Sequence, residues 1–230
     1  MQSMSDSYSK LDNPAWYALT ETHAGFAIGN GTVKRYQPGI VAFAAYQTGK
    51  EIISQLDKLI AIQESFFIIG DLPEFDSSYI IESVLPCVQM VCTSAITTTI
   101  TVTIEKLGDA DDEEIVTLIN QVQPGYYKPG TRLMGDYFGI RENSRLVSIT
   151  GERMRMNGFT EISAVVTLPD FTGRKYAQQL VAHVANKNLA AGIIPFLHVA
   201  ETNERAIQLY KHLGFIQKRI IVFWKIKRQI

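Results

Sequence analysis

The segment from residue 159 to residue 226 limits this chain most, because apolar strand-like and helix-like runs alternate there with short breaks. Phe159–Leu168 is dense in apolar and β-branched residues and stops at Pro169, which predicts a buried strand. Gly173–Leu189 follows, with Tyr176, Ala177, Leu180, Val181 and Val184 on one helical face. Ile194–Val199 reads as a strand, Asn203–Leu213 as a helix and Phe215–Ile226 as a last strand. Upstream, Tyr137–Arg141 and Arg145–Arg155 flank Glu142-Asn143-Ser144 as a hairpin, and Asn157-Gly158 turns into the strand at Phe159. Strands first, then strand–helix–strand–helix–strand, predict an α+β (mixed α/β) fold built on one mixed sheet flanked by helices.

The first hundred residues carry fewer signals. Leu11–Leu19 is helix-compatible, Gly25–Asn30 and Val33–Tyr36 form a hairpin around Gly29-Asn30-Gly31, and Ile40–Tyr46 reads as a strand. Gly49–Gln63 has helical apolar spacing and Phe66–Ile69 is another short strand. No chemical constellation stands on this strand–helix–strand. A boundary near Thr93–Thr99 divides the chain into an N-terminal α/β domain, 1–100, and a second domain, 101–230. The second opens with a strand at Thr101–Lys106 and a helix at Asp111–Gln121. No Gly/Ser/Pro linker separates the two, so they are expected to pack against each other.

Composition excludes several classes. Net charge is −1 with Lys and Arg dispersed, which argues against nucleic acid as a partner. Tyr79–Ile104, the longest apolar region, is interrupted by Glu82, Pro86, Gln89 and threonines, so no membrane span is expected. Met1–Lys10 lacks an apolar leader stretch. Cys87 and Cys92 have no metal-type spacing and read as core thiols in a reducing compartment. A cytoplasmic protein without a metal is expected. Nothing in the sequence sets its oligomeric state.

Chemistry begins at the strand end. Ala164-Val165-Val166-Thr167-Leu168-Pro169-Asp170-Phe171-Thr172-Gly173-Arg174-Lys175-Tyr176-Ala177 passes from strand to helix start. Gly173 permits a tight turn, the helix aims unpaired amides and its positive end at that turn, and Arg174 and Lys175 add charge. A pyrophosphate suits such a place, although one glycine before a helix also serves as plain punctuation. Neither a P-loop nor a dinucleotide fingerprint is present. Farther on, Asn203-Glu204-Arg205-Ala206-Ile207-Gln208-Leu209-Tyr210-Lys211-His212-Leu213-Gly214-Phe215 sets Asn203, Ala206, Tyr210 and Leu213 at helical spacing before a terminating glycine.

This order, with the Asn-x-x-Ala-x-x-Leu-Tyr-x-x-Leu-Gly-Phe run, resembles the GNAT superfamily of acyl-CoA N-acyltransferases over about residues 105–230. Gly151-Glu152-Arg153-Met154 and Phe159-Thr160-Glu161-Ile162-Ser163 resemble the glycine N-acyltransferase branch, and by that likeness the N-terminal half is a degenerate GNAT-like copy. The family prefers Gln or Arg, two residues, Gly, one residue, then Gly or Ala. Here Thr172, Lys175 and Ala177 occupy those positions, so the first and second depart.

The resemblance implies acetyl-CoA as cosubstrate and an amine as acceptor, with direct attack on the thioester. It places main-chain groups of Val165, Val166 and Thr167 along the pantetheine arm, as in strand addition. Thr172, Gly173, Arg174, Lys175, Tyr176 and Ala177 hold the pyrophosphate. Asn203, Ala206 and Tyr210 line the thioester end, with Tyr210 as the acid for the departing thiolate. Glu161 falls where some members carry a strand glutamate that acts as base. Alternation sets it on one face with Ser163, Val165 and Thr167, though a solvated strand end explains it as well. Glu152 is the second candidate base, unless Arg153 or Arg155 pairs with it, while His183 and His198 read as structural. A non-catalytic acyl-CoA-binding module of the same fold is the rival reading.

Overall fold

The structure is a computed structural model that describes residues 6–47, 51–125 and 127–230. It divides into two compact units, Met1–Cys87 with Ile220–Ile230, and Val88–Arg219.

In the first unit, helix α1 (Pro14–Thr20) starts at Asn13, whose side chain accepts from the Trp16 amide, with Pro14 in the first turn. Strands β1 (Ala27–Ile28) and β2 (Val33–Tyr36) pair antiparallel around the expected glycine turn. Strand β3 (Phe43–Tyr46), helix α2 (Ile52–Leu59) and strand β4 (Ser65–Ile69) form the crossover read from the sequence, with β3 and β4 parallel. The expected helix start at Gly49 and Lys50 lies outside the described residues. Strand β5 (Tyr79–Val91) comes next, and the chain returns at its end to supply β11 (Ile216–Arg228), which pairs antiparallel with β4. Strand order in this unit is β1-β2-β3-β4-β11-β5. Val33, Leu56, Ile60, Phe66, Ile68 and Ile226 form its core. The compact units part inside β5, and the last eleven residues group with the first unit, where β11 pairs with β4.

The second unit holds β6 (Glu105–Leu107), α3 (Asp112–Val122), β7 (Tyr137–Glu142), β8 (Arg145–Met156), β9 (Phe159–Thr167), α4 (Tyr176–Ala190), β10 (Ile194–Ala200) and α5 (Glu204–His212). Its strand order is β5-β10-β9-β8-β7-β6. Neighbours from β6 to β9 are antiparallel, while β9 and β10 are parallel. The mixed sheet flanked by helices is thus the architecture the alternation predicts. Asn143 and Ser144 turn β7 into β8 with φ of 50° and 64°, the left-handed pair a two-residue hairpin requires. The strand expected at Thr101–Lys106 is shorter and later, and α4 begins at Tyr176 rather than Gly173. Among the described residues no helix is long and apolar enough to cross a membrane.

Two irregularities in the β8–β9 ladder organise this unit. Gly151 faces Ser163 and Ile149 faces Val166, so Ala164 and Val165 together oppose Thr150. Ala164 sits at φ of 50° in this bulge. Lower down, Glu152 faces Ile162 and Arg155 faces Thr160, so Arg153 and Met154 together oppose Glu161. Each bulge inverts the alternation that follows it. Thr167, opposite Ser148, therefore falls on the other face from Glu161 and Ser163, which corrects the single face expected for Glu161, Ser163, Val165 and Thr167.

Gly151 packs flat against a buried ring, since a Cβ there would meet the Tyr137 carbons at 2.4 Å. Gly151→Ala should cost about 1–3 kcal/mol through overpacking, read as a lowered urea midpoint with an unchanged slope.

Candidate functional site

Strands β9 and β10 are paired only at Phe159–Ile194, Thr160–Pro195 and Glu161–Phe196. Beyond these pairs β9 keeps only its β8 neighbour, so the parallel strands part where both run toward their C-terminal ends. The chain leaves β9 through a 3-10 turn at Pro169–Phe171 and enters α4. Thr172, Gly173, Arg174 and Lys175 are all exposed. Gly173 has φ of 81° and open space where a Cβ would stand, with no atom within 4 Å, and Lys175 has φ of 61°. The glycine is thus required by its backbone angle, not by crowding. From Lys175 onward the first turn-spanning bond is Gln179 N–H to the Lys175 carbonyl at 3.1 Å. The amides of Tyr176, Ala177 and Gln178 precede it and have no acceptor within the helix.

Side chains around the turn are less free than its backbone. Tyr176 is buried and its hydroxyl bonds Glu142, tying the start of α4 to the β7–β8 hairpin. Arg174 lies over the Phe171 ring at 4.8 Å and within 4.0 Å of Glu142. Lys175 is the left-handed residue that precedes the helix.

Helix α5 begins at Asn203, whose side chain accepts from the Ala206 amide at 3.1 Å, so this residue is a helix cap. Tyr210, 7 % exposed, packs its ring edge-on to Phe215 at 5.9 Å. Burial pushes its phenol up to about 12, and among the described residues the hydroxyl takes no hydrogen-bond partner. Val166, Tyr176, Val199 and Tyr210 belong to one apolar cluster against which Ala164, Val165 and Ala206 pack. Thr172, Gly173, Arg174, Lys175 and Asn203 stand outside that cluster, on the exposed turn and at the start of α5.

Glu161 has a different setting. It is 1 % exposed, and Arg153 grips it with two bonds of 2.7 and 2.6 Å, placed there by the lower bulge. His198 of β10 contributes a third contact, Nδ1 to Oε1 at 2.7 Å, and Gln89 of β5 meets the other ring nitrogen at 3.0 Å. Burial alone would raise the Glu161 carboxyl, but Arg153 and then His198 outweigh it and hold it down to about 2. A carboxylate so held is a poor proton acceptor near neutral pH. No local pattern of residues announces this Arg153–Glu161–His198–Gln89 chain, because its members come from four strands and only a bulge turns Arg153 to Glu161.

Glu152 lies on the opposite face, where Lys187 and Asn188 of α4 bond it at 2.9 and 3.0 Å and the Asp136 amide donates to it. It is an anchor for α4, not a free base. Burial raises the neighbouring Asp136, yet Lys106 and Lys187 bring it down to about 2. His183 stacks edge-on with Phe138 at 4.8 Å, and burial followed by Lys187 lowers its imidazole. Among the described residues no three His, Cys, Asp or Glu side chains gather as a metal site.

Residues 137–224 match the family model described as FR47-like protein. An acetyltransferase of the GNAT family from Novosphingobium aromaticivorans superposes with a TM-score of 0.88 at 28 % identity, over 96 % of this chain and 99 % of that one. A GCN5-related N-acetyltransferase from Kribbella flavida gives 0.61 at 16 % identity, over 92 % and 95 %. A GCN5-related N-acetyltransferase-like protein from Streptococcus suis gives 0.59 at 12 % identity, over 98 % and 99 %. These last two show the fold alone. The fold is that of the GNAT acetyltransferases, and the likenesses support that superfamily for this chain. No curated protein matches at a significant level.

Glu161 makes stability depend on acid in a calculable direction. Its folded value near 2 lies below its ordinary 4.5, so its contribution is complete above about pH 4.5 and disappears as pH falls toward 2. Glu161→Gln should lose about 3–5 kcal/mol at neutral pH by stranding Arg153. The variant should also show a flatter fall in stability between those pH values, measured by urea unfolding.

Proposed function

We propose that this chain is an N-acetyltransferase that moves the acetyl group of acetyl-CoA to a primary amine by direct attack. The observation that carries the reading is the parting of β9 and β10 after Glu161–Phe196, with an exposed glycine turn and the amide end of α4 directly downstream. An open strand edge suits the pantetheine arm, which can add to Val165, Val166 and Thr167 as a further strand would. Thr172, Gly173, Arg174, Lys175, Tyr176 and Ala177 form the turn for the pyrophosphate, mainly through backbone amides. Thr172 and Lys175, the two departures from the family pattern, are exposed and leave those amides unaltered.

When bound, acetyl-CoA supplies the activated acyl carbon. Ala206 and Tyr210 pack in the cluster that borders Val165, and Asn203 acts by starting the helix that carries them. Tyr210, held protonated by burial, is the group that would give its proton to the leaving sulfur. Glu161 serves the site as an ionised anchor and not as the base. The glycine N-acyltransferase branch is supported by the segments Gly151–Met154 and Phe159–Ser163 of the sequence. An N-terminal unit descended from a second GNAT-like copy agrees with its own parallel β3–α2–β4 crossover.

Two measurements test this. In calorimetric titration with acetyl-CoA, Gly173→Val should weaken binding far more than Lys175→Ala, since φ of 81° excludes a β-branched residue. Equal losses would mean that side chains bind the pyrophosphate. With an accepted amine, Tyr210→Phe should lower turnover about 10²–10⁴-fold and leave acetyl-CoA affinity nearly unchanged. Full turnover in that variant would make solvent the acid.

A further inference from the structure

The first unit has a cavity of its own, where its two parallel strands separate. Strands β3 and β4 pair only at Phe43 with Phe67 and at Ala44 with Ile68. Beyond that point β3 stays with β2 and β4 with β11. The crevice outside the carboxyl ends of such strands is a usual place for a ligand. A cavity of about 230 Å³ lies there, walled by the last residues of both strands and by the start of α1. Asn13 fastens α1 to the parted edge, its side-chain amide donating to the Tyr46 carbonyl at 2.7 Å. The Asp12 carbonyl comes so close to Gly70 that a Cβ there would meet it at 2.9 Å.

We propose that this cavity binds a small molecule carrying a primary ammonium group and, a few atoms away, a hydrogen-bond acceptor. Its lining holds two carboxylates, Asp12 and Asp71, and no basic side chain. The Asp71 carboxylate takes no hydrogen bond or ion pair among the described residues. Its charge reaches into the lining all the same, since burial and then Asp71 raise the Tyr46 phenol. Tyr17 and Tyr46 add aromatic faces, which attract ammonium groups. Lys10, paired with Glu21 at 2.5 Å, lies over the Tyr17 ring at 5.6 Å, so this ring already takes a cation.

Trp16 sets the other half of the ligand. It lines the cavity and is 6 % exposed, yet its indole N–H has no acceptor among the described residues. Buried donors are nearly always paired, and an indole donates without accepting, so the acceptor falls to the ligand. The Gln47 side chain, also without a partner among the described residues, can bond either end of such a molecule. An anion would face both carboxylates, and an apolar molecule would leave the indole and Asp71 unpaired. The volume is below the about 300–1,000 Å³ of drug-sized sites, which suits a compound of amino-alcohol size. Binding here needs neither acetyl-CoA nor turnover, so the inference stands apart from the acyltransferase reading.

The test titrates the full chain, labelled with nitrogen-15 and free of acetyl-CoA, with ethanolamine while the indole N–H resonances are followed. The chain has two tryptophans, and Trp16→Phe identifies the resonance of Trp16 by its loss. We expect a saturable shift of that resonance with ethanolamine. Ethylene glycol, which has a hydroxyl in place of the ammonium, and propionate should produce none. Ethylamine, which lacks the acceptor, should bind more weakly and move the indole resonance less. Asp71→Asn, at an exposed position, should weaken ethanolamine binding about 10- to 100-fold, as loss of a charge-assisted hydrogen bond does, with the remaining amide spectrum unchanged. Absence of a saturable shift with ethanolamine overturns the inference. So do equal responses to ethylene glycol or ethylamine, or wild-type affinity in an Asp71→Asn variant with a native spectrum.

Discussion

A negative charge in the interior of a β-strand is the constraint around which the second unit is arranged. Glu161 is almost wholly removed from water, and an isolated buried carboxylate is too costly to persist. Its partners therefore dictate local structure. The ladder slips so that Arg153 and Met154 share the place opposite Glu161, and β10 brings His198 to the carboxylate. The same residue closes the last parallel pair, so the point of greatest electrostatic demand is also the point where two strands separate.

Backbone and side chains divide the labour at the site. What faces outward is mainly main chain: the parted edge of β9, the turn at Gly173 and the amides opening α4. The side chains nearby are largely occupied in holding that main chain. Tyr176 is bonded to Glu142, Asn203 caps α5, and Glu152 binds α4 through Lys187 and Asn188. Tyr210 is the exception, a buried phenol whose hydroxyl has no bond among the described residues. On the proposed reading, a pyrophosphate held mainly by amides would tolerate unusual side chains such as Thr172 and Lys175, since shape and amide direction would do the binding.

Most elements of the second unit could be read from residue order, because hydrophobic period and turn residues act locally. The hairpin at Asn143-Ser144 and the α4 and α5 faces belong to this class. Long-range consequences could not. Strand β5 hides behind five consecutive exposed residues, Ile80–Val84, and an internal Pro86, so neither alternation nor a buried run marks it. The return of β11 to β4 depends on pairing across more than 150 residues, and no local signal carries it. At the site, the cluster around Tyr210 was legible from helical spacing. The role of Glu161 was not, since its partners Arg153, His198 and Gln89 lie on other strands and one of them arrives only through a bulge.

The upper bulge, at Ala164 and Val165, gives β9 a reversed parity over its C-terminal end. Before it, odd-numbered residues such as Glu161 and Ser163 share a face; after it, Val166 takes that face and Thr167 the opposite one. One strand thereby addresses the charged network at its start and a different set of neighbours at its end, while both halves stay in one ladder with β8. The chain can therefore lose one residue at this place and keep every later β9 side chain on its present face. Removing Ala164 or Val165 would leave Val166 opposite Ile149 and Thr167 opposite Ser148 in a regular ladder, whereas one residue added to or taken from a regular stretch exchanges the faces beyond it.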